Sequence, residues 1–360
     1  MQSDSAPSPQ HFWRQEAAFK ALAEAKDRGR LARSYLFTGP TGAGKWAAAQ
    51  WLAKVLLCEQ AEAGNRPCLI CSACRRIDQG THLDWHALLP LPKVTAEDDR
   101  VAFLKAKAAD PFAVVSFAKK PNLAIDWVRD LLAELSKTSV EGGAKVSVIA
   151  SADQMTLDGQ TVLLKSIEEP PLDTYFILTS SDPARILPTV RSRCQTIRFA
   201  PVDPGAIASR LIEMELTDPE DAALIAQLCG GGWGQAVRLA DEKLKAWRQT
   251  VSSLWNEAFM GSPGSLIAEI DRSFSKNRAF DEVVQAFDVW GLLLRRDCAD
   301  SVTDHERPNA ASGMPVLDMD TAWACWRILQ NGRATLYVNV MPRSAVKGTF
   351  LALRRRLGCQ

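Results

Sequence analysis

The sequence holds 360 residues with a formal net charge of +1, 47% hydrophobic and 24% charged. This is the composition of a globular protein long enough for two or three domains and for a core that needs no staples. A net charge this small excludes a chain drawn to nucleic acid or membrane by its overall field, so contact with DNA has to come from a local patch. No apolar run approaches the ~18 residues of a membrane helix. Met1 to Gln10 is polar, without an apolar signal core, and the expected location is cytoplasmic, where nine cysteines do not read as a disulfide framework.

In chain order, helical spacing of Phe12, Ala18, Leu22 and Ala25 predicts a helix over 12–32. Ser34 to Thr38 is a short apolar strand that runs into Gly39-Pro40-Thr41-Gly42-Ala43-Gly44-Lys45, and a helix follows from Trp46 to Cys58. Residues 91–122 are mixed and Pro-bounded, with Lys105, Lys107, Lys119 and Lys120, and read as an insertion between two core elements. Strands are expected at 146–150, 175–179 and 195–199, with helices at 124–138, 158–168 and 183–190 between them. Strands alternating with helices indicate an α/β domain with a parallel sheet, over 1–200. After Pro201-Val202-Asp203-Pro204 the strands stop. Three short helices are expected at 204–214, 218–228 and 233–244, the last set off by Gly230-Gly231-Gly232. Residues 245–360 read as all-helical, apart from a loop at 299–318.

Gly39 to Lys45 fits G-x-x-x-x-G-K between a strand and a helix, the context this motif requires. Glycines let backbone N–H groups converge on phosphate oxygens, and Lys45 would reach the β- and γ-phosphates. The next residue should be Ser or Thr to hold Mg²⁺; here it is Trp46, whose indole only donates. The following strand should end in acidic residues that hold Mg²⁺ and activate water, yet those positions are Ala150 and Ser151. Asp153, at an expected helix start, reads as an N-cap. Three losses together predict a subunit that does not hydrolyse ATP. A Gly-rich turn kept for geometry alone is the plainer alternative.

Cys58, Cys68, Cys71 and Cys74 give C-x9-C-x2-C-x2-C. Two x2 spacings let three thiolates converge, and Cys58 can complete a tetrahedral structural zinc site. Unliganded cysteines or an iron–sulfur cluster stay open. Further on, Arg191 and Arg193 follow a short helix. Arginine can stabilise a transferring phosphoryl group in trans, though spacing alone favours a surface pair capping helix carbonyls. Cys194 reads as a small buried residue.

Taken in this order, several segments resemble the delta-prime family of the bacterial DNA polymerase III clamp loader, within the AAA+ class. They are Tyr35 to Pro40, the four cysteines directly after the P-loop helix, Ile125-Asp126-Trp127-Val128-Arg129, and Leu163-Leu164-Lys165-Ser166-Ile167-Glu168-Glu169-Pro170-Pro171. Thr179-Ser180 falls in the sensor-1 region, Leu187 to Gln195 carries Ser-Arg-Cys, and Asn339 to Arg343 resembles the last-helix motif. The resemblance covers about 10–245 well and the rest loosely. It implies a P-loop (RecA-like, AAA+) domain with a zinc module at 58–74, a three-helix lid over 201–244 and an all-α collar for oligomerisation over 245–360.

The resemblance also makes Arg193 an arginine finger, directed at ATP held by a neighbouring subunit. The implied partners are the tau/gamma ATPase subunits, the delta subunit and the sliding clamp, with primer–template DNA reached through the complex. Zinc is the implied structural cofactor. The related tau/gamma subunits keep an intact P-loop and an acidic second strand, so Trp46, Ala150 and Ser151 favour delta-prime. Gln235, in the sensor-2 region where arginine is common, points the same way. Whether Gly39, Gly42, Gly44 and Lys45 still hold a phosphate is left open. The competing expectations are an ATP-hydrolysing tau/gamma-like subunit, a stand-alone AAA+ ATPase using Lys45 and Asp153, and a zinc-dependent binding module. Lys119, Lys120 and Arg354-Arg355-Arg356 are basic, but short charge runs are usually solvated faces.

Overall fold

Short runs rich in aromatic and branched side chains, buried on both faces, build the inner strands of this protein's one sheet among the described residues. The computed structural model describes residues 13–60, 66–92, 95–112, 121–274, 280–303, 317–338 and 340–358. They fall into two units, one reaching Arg238 and the other starting at Leu239. Phe12, Lys119, Lys120 and Asn339 lie outside the described residues.

The first unit contains α1 (Glu16–Asp27), β1 (Ser34–Thr38), α2 (Lys45–Leu57), α3 (Ser72–Asp78), β2 (Trp85–Leu88), α4 (Glu97–Ala109), α5 (Ile125–Ser136) and β3 (Lys145–Ile149). It continues through α6 (Leu157–Glu168), β4 (Thr174–Ser180), α7 (Pro188–Arg191), β5 (Gln195–Arg198), α8 (Pro204–Glu213), α9 (Pro219–Leu228) and α10 (Trp233–Leu239). The five strands lie in the order β2-β3-β4-β1-β5, all parallel. Successive side chains of β1 enter opposite layers, as strand geometry requires. Tyr35 and Phe37 join Trp46, Trp51 and Phe199 in one core, and Leu36 joins Phe176, Leu178 and Leu163 in the other. Burial on both faces explains the uninterrupted apolar runs. With β1 between β4 and β5, the loops leaving β1, β3 and β4 share one edge of the sheet, where open α/β sheets place their ligands.

The structure departs from the sequence expectations at several points. Strand β2 was not anticipated; it is a four-residue strand at the sheet edge with only Trp85 fully buried. Lys145–Ile149 is therefore the third strand along the chain. Within the expected insertion lies α4, and the excursion closes where Leu91 and Asn122 exchange backbone hydrogen bonds of 3.0 and 3.1 Å. The helix expected at 183–190 is a 3₁₀ turn at Pro183–Arg185 followed by the single turn α7, since Pro188 lacks the N–H that would continue it. The helix expected at 12–32 is shorter, ending before Gly29 at φ +62, a left-handed residue that suits a helix end. The one expected at 233–244 stops at Leu239.

The second unit contains α11 (Glu242–Met260), α12 (Pro263–Ser273), α13 (Phe280–Thr303), α14 (Met319–Thr335) and α15 (Pro342–Leu357). Its core packs Trp290 edge-to-face with Phe350 and Phe287, at centroid distances of 4.6 and 5.1 Å. The expected loop at 299–318 begins later, since α13 continues through Thr303; residues 304–316 lie outside the described residues. Asp297 in that helix accepts from Trp255 Nε1 at 3.0 Å. The basic run is only partly a solvated face. Arg354 is buried and donates to the carbonyls of Ala258 and Gly261 at 2.8 Å, whereas Arg355 and Arg356 are exposed.

Candidate functional site

The phosphate-loop sequence folds into a phosphate-loop turn. Gly39, Gly42 and Gly44 have φ of +144, +80 and +92, conformations that glycine alone adopts without strain. The loop is nevertheless engaged with its own chain. Lys45 is buried (8% exposed), and its ammonium donates to the carbonyls of Gly39 at 2.6 Å and Pro40 at 2.5 Å. Burial lowers its pKa to about 8, and the charge of Asp153 works against that shift. The lid closes the other side. Gly234 N–H donates to the Gly42 carbonyl at 2.9 Å, and a Cβ at Gly232 would lie 1.8 Å from the Thr41 carbonyl oxygen. Only a glycine lets the two backbones approach so closely.

Trp46 stands where a hydroxyl would face Mg²⁺. It is 6% exposed and packs edge-on against Trp85, centroids 6.0 Å apart, so it is a core residue. The end of β3 is also committed elsewhere. Ser151 sits at φ +48 and donates its N–H to Thr179 Oγ1 at 3.0 Å. Asp153 does not cap the helix expected after it. Its carboxylate accepts from Ser181 N–H at 3.1 Å, fastening the 3₁₀ turn after β3 to the end of β4, while Thr156 caps α6 instead. The buried amide oxygen of Gln235 has no hydrogen-bond partner among the described residues. Trp46→Ser is expected to leave ATP turnover at background, because Ala150 and Ser151 still offer Mg²⁺ and the attacking water no acidic group. It should also lower folding stability by about 3–5 kcal/mol, the usual cost of truncating a buried tryptophan. Phosphate release and a denaturant midpoint check both; turnover gained by Trp46→Ser would mean that the missing hydroxyl alone was limiting.

Cys58, Cys68, Cys71 and Cys74 come together with all four Sγ atoms within 4.8 Å of one another, a group able to hold a metal ion. Cys58 leaves α2 in an extended conformation, and Cys71 caps α3. Tetrahedral zinc with Zn–S of about 2.3 Å would place sulfurs about 3.8 Å apart, and Cys58 and Cys71 are separated by 4.0 Å. Backbone N–H groups surround the sulfurs. Cys68 and Gln60 donate to Cys58, and Cys71 donates to Cys68, at 3.3–3.4 Å. The N–H groups of Ile70 and Cys71 bring the Cys68 thiol down to about 6. Burial pushes the Cys58 and Cys74 thiols up, so ionising all four calls for a compensating cation. The donor set and its spacing fit a structural metal.

Arg193 lies on the turn after α7, 39% exposed along its side chain, and forms an ion pair with Glu168 at the end of α6. Its Nη1 donates to the Thr189 carbonyl at 3.1 Å. These partners are on α6 and α7, apart from the phosphate loop of the same chain. Cys194 is buried, which raises its pKa to about 12, as suits a core residue and not a nucleophile. Sequence reasoning missed Gln160. Its buried amide accepts from Leu187 N–H at 2.7 Å and donates to the Arg185 carbonyl at 3.0 Å, pinning the arginine-bearing turn to α6. It also missed Glu168, which was visible only as one letter of a longer motif. A third omission is Arg210, whose guanidinium lies over both Trp13 and Trp233, at 4.1 and 4.5 Å, where the two rings meet edge-on beside the lid glycines.

The family described as "DNA polymerase III, delta subunit" matches residues 14–203, more than half of the chain. The chain belongs to this family. Among curated relatives, DNA polymerase III subunit delta' of Bacillus subtilis is 36% identical over 214 residues, 59% of this chain and 56% of that protein. Its counterpart in Pseudomonas aeruginosa is 34% identical over 227 residues, 62% of this chain and 60% of that one. DNA polymerase III subunit tau of Escherichia coli is 28% identical over 253 residues, 69% of this chain and 35% of tau. The chain spans less than two thirds of the length of the delta' relatives it matches. Among solved structures, a DNA polymerase III gamma subunit-related protein from Thermotoga maritima aligns over 93% of this chain and 99% of its own. The identity there is 12% and the TM-score 0.49. Among the described residues no helix is long and apolar enough to cross a membrane.

Proposed function

We propose that this chain is the non-hydrolysing delta-prime subunit of a DNA polymerase III clamp loader. In this reading it helps place the sliding clamp on primed DNA while neighbouring tau/gamma subunits bind and hydrolyse ATP. Residues 1–200 form the AAA+ domain, 201–244 the lid and 245–360 the collar. Cys58, Cys68, Cys71 and Cys74 hold a structural zinc, which folds the loop between α2 and α3 and takes no part in chemistry. Arg193 acts on the nucleotide of an adjoining subunit.

The observation that carries the reading is the end of β3 together with Trp46. Where Mg²⁺ needs a hydroxyl and an acidic group, Trp46 is packed into the core against Trp85 and β3 ends in Ala150 and Ser151. Arg193, exposed on the turn after α7, is held by Glu168 and Thr189 and not by this chain's own phosphate loop. The test begins with purified protein, which should show no ATPase above background. It should then assemble with tau/gamma and delta subunits into a complex whose ATPase rises with primed DNA and clamp. Robust turnover by the single chain, abolished by Lys45→Ala, would overturn the reading and favour a stand-alone ATPase.

A further inference from the structure

Helix α6 fastens the arginine-bearing turn at two points. Gln160 pins the backbone at Arg185 and Leu187. Eight residues further on, about 12 Å along a helix, Glu168 pairs with Arg193 Nε. The guanidinium is thus held by Nε and by the bond from Nη1 to the Thr189 carbonyl, while Nη2 makes no hydrogen bond among the described residues. Folding gives little reason for a carboxylate here. Glu168 is the last residue of α6, where a negative charge opposes the helix dipole. With the two side chains 38% and 39% exposed, the ion pair adds little stability.

We propose that Glu168 is a positioning residue for Arg193. It holds the guanidinium along its Nε edge, so that Nη2 is presented outward to phosphate oxygens of a nucleotide on the adjoining subunit. Fixing a long, rotamer-rich side chain in advance lowers the entropy lost when the reacting groups are brought into place. The inference rests on the reading of Arg193 as a group that acts in trans.

The test uses the assembled clamp-loader complex with primed DNA and clamp, and compares Glu168→Gln, Arg193→Ala and the double variant. The turnover removed by Arg193→Ala defines the arginine-dependent part. Glu168→Gln should lower that part about threefold, the scale of an exposed ion pair, through kcat with KM for ATP unchanged. In the Arg193→Ala background it should change nothing. The thermal midpoint of the Glu168→Gln subunit should match that of the wild type. If Arg193→Ala lowers turnover and Glu168→Gln leaves it unchanged or raises it, positioning is refuted while the trans reading stands. An equal loss from Glu168→Gln in both backgrounds refutes it too, since the effect then bypasses Arg193. Unaltered turnover in Arg193→Ala removes the trans reading and this proposal with it.

Discussion

Stripping metal from the four-cysteine module should unfold the segment from Cys58 to Asp78 and leave the sheet intact. Structural zinc contributes about 10–16 kcal/mol of apparent binding free energy in isolated finger peptides. Here the loss should be smaller, because α3 is held by more than its cysteines. Ile77 is fully buried, Arg76 makes a two-pronged pair with Glu141 at 2.5 and 2.7 Å, and Asp78 pairs with Lys54 at 2.5 Å. Among its described residues the loop before α3 is held, besides the cysteines, by bonds to backbone carbonyls: Arg66 to Gln60 at 2.6 Å, Lys26 to Arg66 at 3.3 Å and Arg75 to Ile70 at 2.8 Å. Its turn carries Leu69 at φ +63, a left-handed conformation that a leucine keeps only where its surroundings enforce it.

Near-stoichiometric zinc is therefore expected in purified protein, with a clear drop in thermal midpoint on chelation or in Cys68→Ser. Hydrogen exchange should rise at residues 66–78 well before it rises in β1, β3 and β4. Two results would sink this: protein that purifies without zinc, or exchange at 66–78 that chelation leaves unaltered.

The parts of this fold legible in the sequence are those whose physics is local. β1, β3 and β4 are short runs of buried side chains, and the glycines between β1 and α2 announce a turn with φ above zero. Elements that draw their stability from neighbours were harder to read. β2 depends on hydrogen bonds to β3 at the sheet edge, and α4 buries only Ala108 completely, leaving little periodicity to detect. The same division holds at the site. Cysteine spacing predicts a cluster because the ligands lie near one another along the chain. Trp46 reads at once as the wrong residue for Mg²⁺. The backbone bond between lid and loop, the real duty of Asp153 and the hold of α6 on the Arg193 turn each join residues that are distant in sequence. No spacing rule reaches them.

Replacing Arg193 with alanine should cost the clamp-loader complex nearly all hydrolysis at one ATP site while leaving this subunit folded. An arginine supplied in trans is worth roughly 10³–10⁵ in kcat at the site it serves. In a complex with several ATPase sites, total turnover falls by that one site's share, and clamp loading falls with it. Loss of folding would not explain such a result. The side chain is 39% exposed, and an exposed ion pair is worth at most about 1 kcal/mol, so the thermal midpoint of Arg193→Ala should stay close to the wild type. Arg193→Lys separates charge from geometry. Lysine keeps the charge but lacks the planar fork that can be held at Nε and Nη1 and still offer Nη2, so it should recover only a small part of the lost turnover. DNA-stimulated phosphate release by the reconstituted complex measures both variants. A complex carrying Arg193→Ala that hydrolyses ATP at the wild-type rate would show that Arg193 does no more than cap the Thr189 carbonyl and pair with Glu168 on its own surface.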